Sequence, residues 1–149
     1  MKKIIKIMVI AALLCAAVSC NKAPETSTAI VAEWHLVEVT GMDASALPEV
    51  YIDFKADYTF EIYQKVGEGR FRRYDGTYAV AEDMVTGKYS DGEDWGSGYV
   101  AAFDGDFMTL TADNGSGEVC KYEKASLDQK EKDSADVVTK ADDSVVRFL

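Results

Sequence analysis

The tightest constraint on the fold lies in residues 50–62. In Val50-Tyr51-Ile52-Asp53-Phe54 and Tyr58-Thr59-Phe60-Glu61-Ile62 the apolar side chains fall on even positions of both runs. A period of two marks a strand with one buried face. A three- or five-residue loop around Asp57 sets Phe54 opposite Phe60 and Ile52 opposite Ile62. A two-residue loop pairs Phe54 with Thr59, and a slip of one residue inverts every side chain. Asp104-Gly105 is a two-residue turn signal that sets Tyr99, Ala101 and Phe103 on the face shared by Met108 and Leu110. Both hairpins present one apolar face, as a sheet over a single core requires.

No stretch between 30 and 125 holds a 3.6-residue apolar period. Short β-branched and aromatic runs are punctuated by Gly and Asp instead. Eight strands are predicted, near 33–39, 49–55, 58–65, 70–80, 84–89, 98–103, 106–112 and 117–124. Gly76 is expected to mark a bulge, because Phe71 and Tyr78 have opposite parity. Eight consecutive antiparallel strands can close into a barrel and so remove their edges. The inward set of Phe54, Phe60, Ile62, Tyr99, Phe103, Met108 and Leu110 is bulky for so small a lumen. It favours a shallow pocket at the mouth over a deep cavity.

These patterns carry a resemblance. Trp34, Ile52–Phe60, Tyr74-Asp75-Gly76-Thr77-Tyr78, Gly87-Lys88-Tyr89 and Asp106–Leu110 resemble the small lipocalin-like lipoproteins of Bacteroidota-type Gram-negative bacteria. The resemblance covers about 30–125. It implies an all-β, eight-stranded antiparallel up-and-down barrel, with Trp34 plugging the closed end. Where lipocalins carry Gly-x-Trp, this chain has Ala32-Glu33-Trp34. Residues 126–149 form a polar C-terminal tail, in which Val138, Ala141, Val145 and Phe148 recur at the spacing of a short helix.

The first residues give an address. Lys2, Lys3 and Lys6 precede an unbroken apolar run from Ile7 to Val18. That run is too short to span a bilayer, which takes about 20 residues, and it fits the core of a signal peptide. Ala17-Val18-Ser19-Cys20 resembles a bacterial lipobox, so residues 1–19 read as a lipoprotein signal peptide and Cys20 as the lipidated residue. Residues 20–29 read as a flexible tether, 30–125 as the barrel domain and 126–149 as the tail. Cys120 is then the only thiol left in the mature chain, so no internal disulfide forms. Cleavage removes three lysines and no acid, leaving 13 basic against 26 acidic groups, a net charge of −13. Such a surface repels phosphate backbones, so no nucleic-acid partner is expected.

The chemistry is sparse. The single histidine, His35, faces away from Trp34 and Leu36 on a strand, and no Gly-x-Ser-x-Gly elbow is present. Cys120 sits mid-strand with no base near it in sequence and reads as a small buried residue. Asp53 opposite Glu61 is a carboxylate pair on the outer face, read as solvated. Asp91, Glu93 and Asp94 lie in a flexible loop without the spacing of an EF-hand, so no metal and no cofactor is expected. Arg70, Arg72 and Arg73 form the only basic cluster of the domain and could hold an anionic group. Trp95 and Tyr99, with Arg70 and Arg72, are the candidate ligand-binding residues. Ser134 and Ser144 lie in Asp-Ser-apolar triplets that resemble O-glycosylation acceptors.

The expected function is that of a non-enzymatic envelope lipoprotein. It is held to the membrane by its lipid, most naturally the outer membrane, on the periplasmic or surface face. It is a monomer whose barrel takes a small apolar or amphipathic ligand. The competing expectation is a filled barrel whose wall or loops bind another envelope protein. The two divide on how full the lumen is.

Overall fold

A computed structural model describes residues 25–65, 67–138 and 149. The signal peptide, Cys20, Ser144 and most of the expected helix after Val138 lie outside them. The described residues open with one helical turn, α1 (Glu25–Ala29), inside the segment read as tether. Eight strands follow: β1 (Glu33–Val39), β2 (Glu49–Phe54), β3 (Thr59–Lys65), β4 (Arg72–Ala81), β5 (Met84–Tyr89), β6 (Tyr99–Asp104), β7 (Phe107–Ala112) and β8 (Val119–Lys124). Helix α2 (Gln129–Ser134) and the two-residue β9 (Asp136–Val137) complete the described chain.

Each strand of the eight pairs antiparallel with the next, and β8 returns to β1, so the sheet closes into a barrel. The expected registers hold: Phe54 faces Phe60, Ile52 faces Ile62, Phe103 faces Met108 and Ala101 faces Leu110. A bulge does occur, but in β1 against β8, between Leu36 and Glu38. Strand β4 runs through Gly76 without one. The parity conflict that suggested a bulge has another cause. Tyr74 and Tyr78 point into the barrel, while Phe71 packs outside it with Tyr63 and Leu127, beneath the C-terminal segment. Gly76 is where β4 pairs with β3 and β5 at once. A Cβ there would stand 2.8 Å from Tyr89 Cα, and nearer still to the Lys88 carbonyl. Glycine is required by this close approach.

A short helix forms in the C-terminal tail, while the segment after Val138 where one was expected lies outside the described residues. The short helix that forms is α2, within the mixed-charge run, with the Asp128 carboxylate accepting the Lys130 N–H as an N-cap. It lies on the outer wall of β2–β4. Lys132 of α2 binds Glu33 of β1, and Glu33 also accepts the Leu127 N–H.

One end of the barrel carries the tight connections at 55–58, 82–83 and 105–106, together with the start of β1. Trp34, fully buried, seals that end, with its indole N–H donating to the Ile30 carbonyl at 2.8 Å. Ile30 is fully buried too, which explains why the turn before it is ordered rather than part of a loose tether. The connections 40–48, 67–71, 90–98 and 113–118 ring the other end.

Candidate functional site: the barrel mouth

The lumen is full. Trp34, Ile52, Phe54, Phe60, Ile62, Met108 and Leu110 are each no more than 1 % exposed. The loop 90–98 adds to the filling. It folds back along β5, where the Tyr89 N–H donates to the Glu93 carbonyl and the Trp95 N–H to the Gly87 carbonyl. That hairpin drives the Trp95 indole into the barrel. Its ring meets Phe54 at 6.3 Å, Phe60 at 5.2 Å and Tyr99 at 6.2 Å, all edge-on. Tyr99 thus faces inward as expected and Trp95 fills the lumen, and neither lines the cavity at the mouth. Burial raises the Tyr99 phenol pKa above its ordinary value, and the Glu118 charge raises it further.

Arg70 and Arg72 sit at the mouth, where β3 hands over to β4. A cavity of about 310 Å³ opens there, lined by Gln64, Arg70, Arg72, Tyr74 and Asp136 among others. Gly67 and Gly69 adopt positive φ in the connection that forms its rim. Arg70 pairs with Asp136 at 3.5 Å, both well exposed. Arg72 opposes Asp136 in the β4–β9 ladder. The third arginine, Arg73, points outward to Glu61 at 3.8 Å. The cluster is thus split by the barrel wall, two at the mouth and one outside. Gln64 is buried on the inward face. Its even parity after Phe60 and Ile62 is the sequence signal of a polar group inside.

The outer wall is less solvated than expected. Asp53 does oppose Glu61, but α2 partly covers them. Lys55 reaches Glu61 at 3.0 Å, and Tyr63 donates its hydroxyl to it at 3.0 Å. Burial pushes the Glu61 carboxyl up, but those hydrogen bonds and the charges of Lys55 and Arg73 hold it below the ordinary glutamate value. Asp53 goes the other way, raised by burial and then by Glu33. A cavity of about 500 Å³ lies between this wall and α2.

The remaining sequence candidates have structural surroundings. His35 stacks on Tyr51 at 4.5 Å, with Nδ1 3.5 Å from Glu123. Cys120 is buried, and burial followed by the Glu118 charge pushes its thiol up to about 12, so it is not a thiolate at neutral pH. Asp91 accepts the Glu93 N–H and Asp94 pairs with Lys88 at 2.6 Å. Among the described residues no three His, Cys, Asp or Glu side chains are grouped to hold a metal ion. Ser134 is exposed at the end of α2, its hydroxyl donating to the Glu131 carbonyl.

An antiparallel barrel that follows chain order, sealed at one end and ringed by its longer loops at the other, defines the class of small up-and-down β-barrels. Within that class the assignment is specific. The model of the lipocalin-like domain family matches residues 30–110, more than half the chain, and the chain belongs to that family. No curated protein matches it. The matched span covers β1 to β6 and most of β7, and β8 completes the barrel beyond it.

Proposed function

We propose that this chain is an envelope lipoprotein, anchored through Cys20, that binds a small apolar or amphipathic ligand at its barrel mouth and performs no chemistry on it. The supporting observation is the mouth cavity, which sets Arg70 and Arg72 beside the buried ring of Tyr74 and the buried amide of Gln64. A charged rim over a floor of one aromatic ring and one amide suits a small amphipathic molecule with an anionic end. The lipobox-like Ala17-Val18-Ser19-Cys20 supports the anchor, and two or three acyl chains suffice for stable attachment. The Gram-negative outer membrane, on its periplasmic or surface face, is the location that fits this reading. The full lumen favours the second reading, in which loops or wall bind another envelope protein.

Native mass spectrometry of the protein purified from its own host separates the two. A co-purifying small molecule whose occupancy falls in Arg72→Ala supports the ligand reading. An empty mouth, with no fluorescence response to host lipid extract or bile-acid-like amphiphiles, moves the assignment to the interaction protein.

A further inference from the structure

The mouth already holds an apolar group, and that group belongs to the chain itself. Leu149 is 3 % exposed and belongs to the same buried cluster as Phe60, Tyr74 and Tyr89. The Tyr89 hydroxyl donates to the Leu149 carbonyl oxygen at 2.9 Å. Tyr89 is itself fixed from two sides, by Phe60 at 5.7 Å and Tyr74 at 6.2 Å, both edge-on. Two independent features bring this part of the chain to the barrel. Strand β9 runs parallel to the start of β4, placing Asp136 beside Arg72 and Val137 beside Arg73. Val138 then packs against the lumenal cluster, its N–H donating to the Arg73 carbonyl. Tyr74 lines the polar mouth cavity and packs edge-on against Tyr89, so one ring separates the cavity from the Leu149 seat.

We propose that the Leu149 seat is the apolar half of the ligand site. It takes a branched or short aliphatic group with a carbonyl or carboxylate oxygen one bond away, with Tyr89 as the donor and Leu149 as the resident occupant that a ligand displaces. The chemistry follows from the seat. A leucine-sized apolar hollow with one phenol donor at its edge selects an apolar group joined to an acceptor. The adjoining cavity with Arg72 then receives the rest of a longer molecule. Two sources share this chemistry, the end of an apolar peptide and a short fatty acid. This inference rests on the mouth-binding reading above and gives its site an apolar half and a competitor.

The test uses the full chain with Leu149 methyls labelled with carbon-13, titrated separately with N-acetyl-phenylalanyl-leucine and with octanoate. Binding is expected to carry the Leu149 methyl signals from buried positions to those of a free chain. Leu149→Ser, which empties the seat, is expected to bind the better probe at least tenfold tighter than wild type. Tyr89→Phe added to Leu149→Ser should then lose about tenfold or more, the loss of one hydrogen bond to a carboxylate. Which probe responds identifies the source. A probe that binds in an Arg72-dependent way without moving the Leu149 methyls overturns this inference and leaves the mouth-binding reading standing. Equal affinity of wild type and Leu149→Ser overturns it as well. Binding of neither probe to either chain overturns both. Should Leu149→Ser not fold, the methyl shifts of the wild-type chain decide alone.

Discussion

Gly87→Ala should eject Trp95 from the lumen. A Cβ built on Gly87 stands 2.5 Å from Trp95 Cδ2 and nearer still to Cε2 and Cζ2, so indole and methyl cannot share the space. The strand cannot yield easily, because β5 is held to β4 from Met84 to Tyr89. Overpacking of this kind costs about 1–3 kcal/mol. If the indole tilts away it also loses edge-on contacts with Phe54, Phe60 and Tyr99, each worth about 0.5–1.5 kcal/mol. Strain and lost ring contacts are alternatives in part, so the expected total is about 3 kcal/mol. The assay is urea unfolding in a Trp34→Phe background, where Trp95 is the only indole and reports its own surroundings. The midpoint should fall and the native emission should shift to the red. Gly96→Ala is the matched control, since a Cβ there meets nothing within 4 Å. In a Trp95→Leu background, Gly87→Ala should cost under about 1 kcal/mol, because the clash has been removed. If Gly87→Ala lies within about 0.5 kcal/mol of Gly96→Ala with unchanged emission, Trp95 does not fill the barrel and the reasoning fails.

Three further outcomes are expected. Phe60→Ala, at a fully buried site opposite Phe54, should cost about 3–5 kcal/mol in urea unfolding, against about 1 for Glu61→Ala on the outer wall; equal losses would place the wrong face inward. Burial and Glu33 raise the Asp53 pKa on folding, so the folded state favours its protonated form. That contribution is present in acid and lost as pH rises through the folded value. Asp53→Asn should therefore raise the melting temperature at pH 7, with the gain vanishing below about pH 4, and a gain that grows in acid would reverse the sign. Cys20→Ser should abolish partition of the mature chain into detergent, and wild-type partition of the variant would remove the anchor.

Strand positions and hairpin registers were legible because both signals are local. Alternation fixes the face, and loop length fixes the partner. The failures share one cause, which is that strand parity says which side a residue faces but not what lies there. Phe71 and Tyr63 point outward, yet Leu127 packs with them and Lys132 of α2 lies over the Tyr63 ring. Gly76 was explained by a bulge when the neighbouring strand's approach was the reason. Asp53 and Glu61 read as a solvated pair because Arg73, which pairs with Glu61, lies twelve residues beyond it, and α2, which partly covers both, lies farther still. At the mouth, Arg70 and Arg72 stood out by charge alone. Tyr89 and Leu149, sixty residues apart, left no mark, since only the closed barrel brings them together. Trp95 lies in a loop rich in Gly and Asp, and nothing local says that this loop turns inward.

A closed ring comes apart at its weakest joint, and here that joint can be named. Strands β5 and β6 pair only at Met84↔Val100 and Val85↔Tyr99, after which the returning loop takes over the edge of β5. Amide exchange through partial opening should therefore begin at this joint while β2, β3 and β6–β8 stay protected. Because Trp95 is the plug carried by that same loop, the event that unfastens the ring also uncorks its interior. The barrel's interior would then be reached through its side, on the timescale of local opening, without passing the mouth at all.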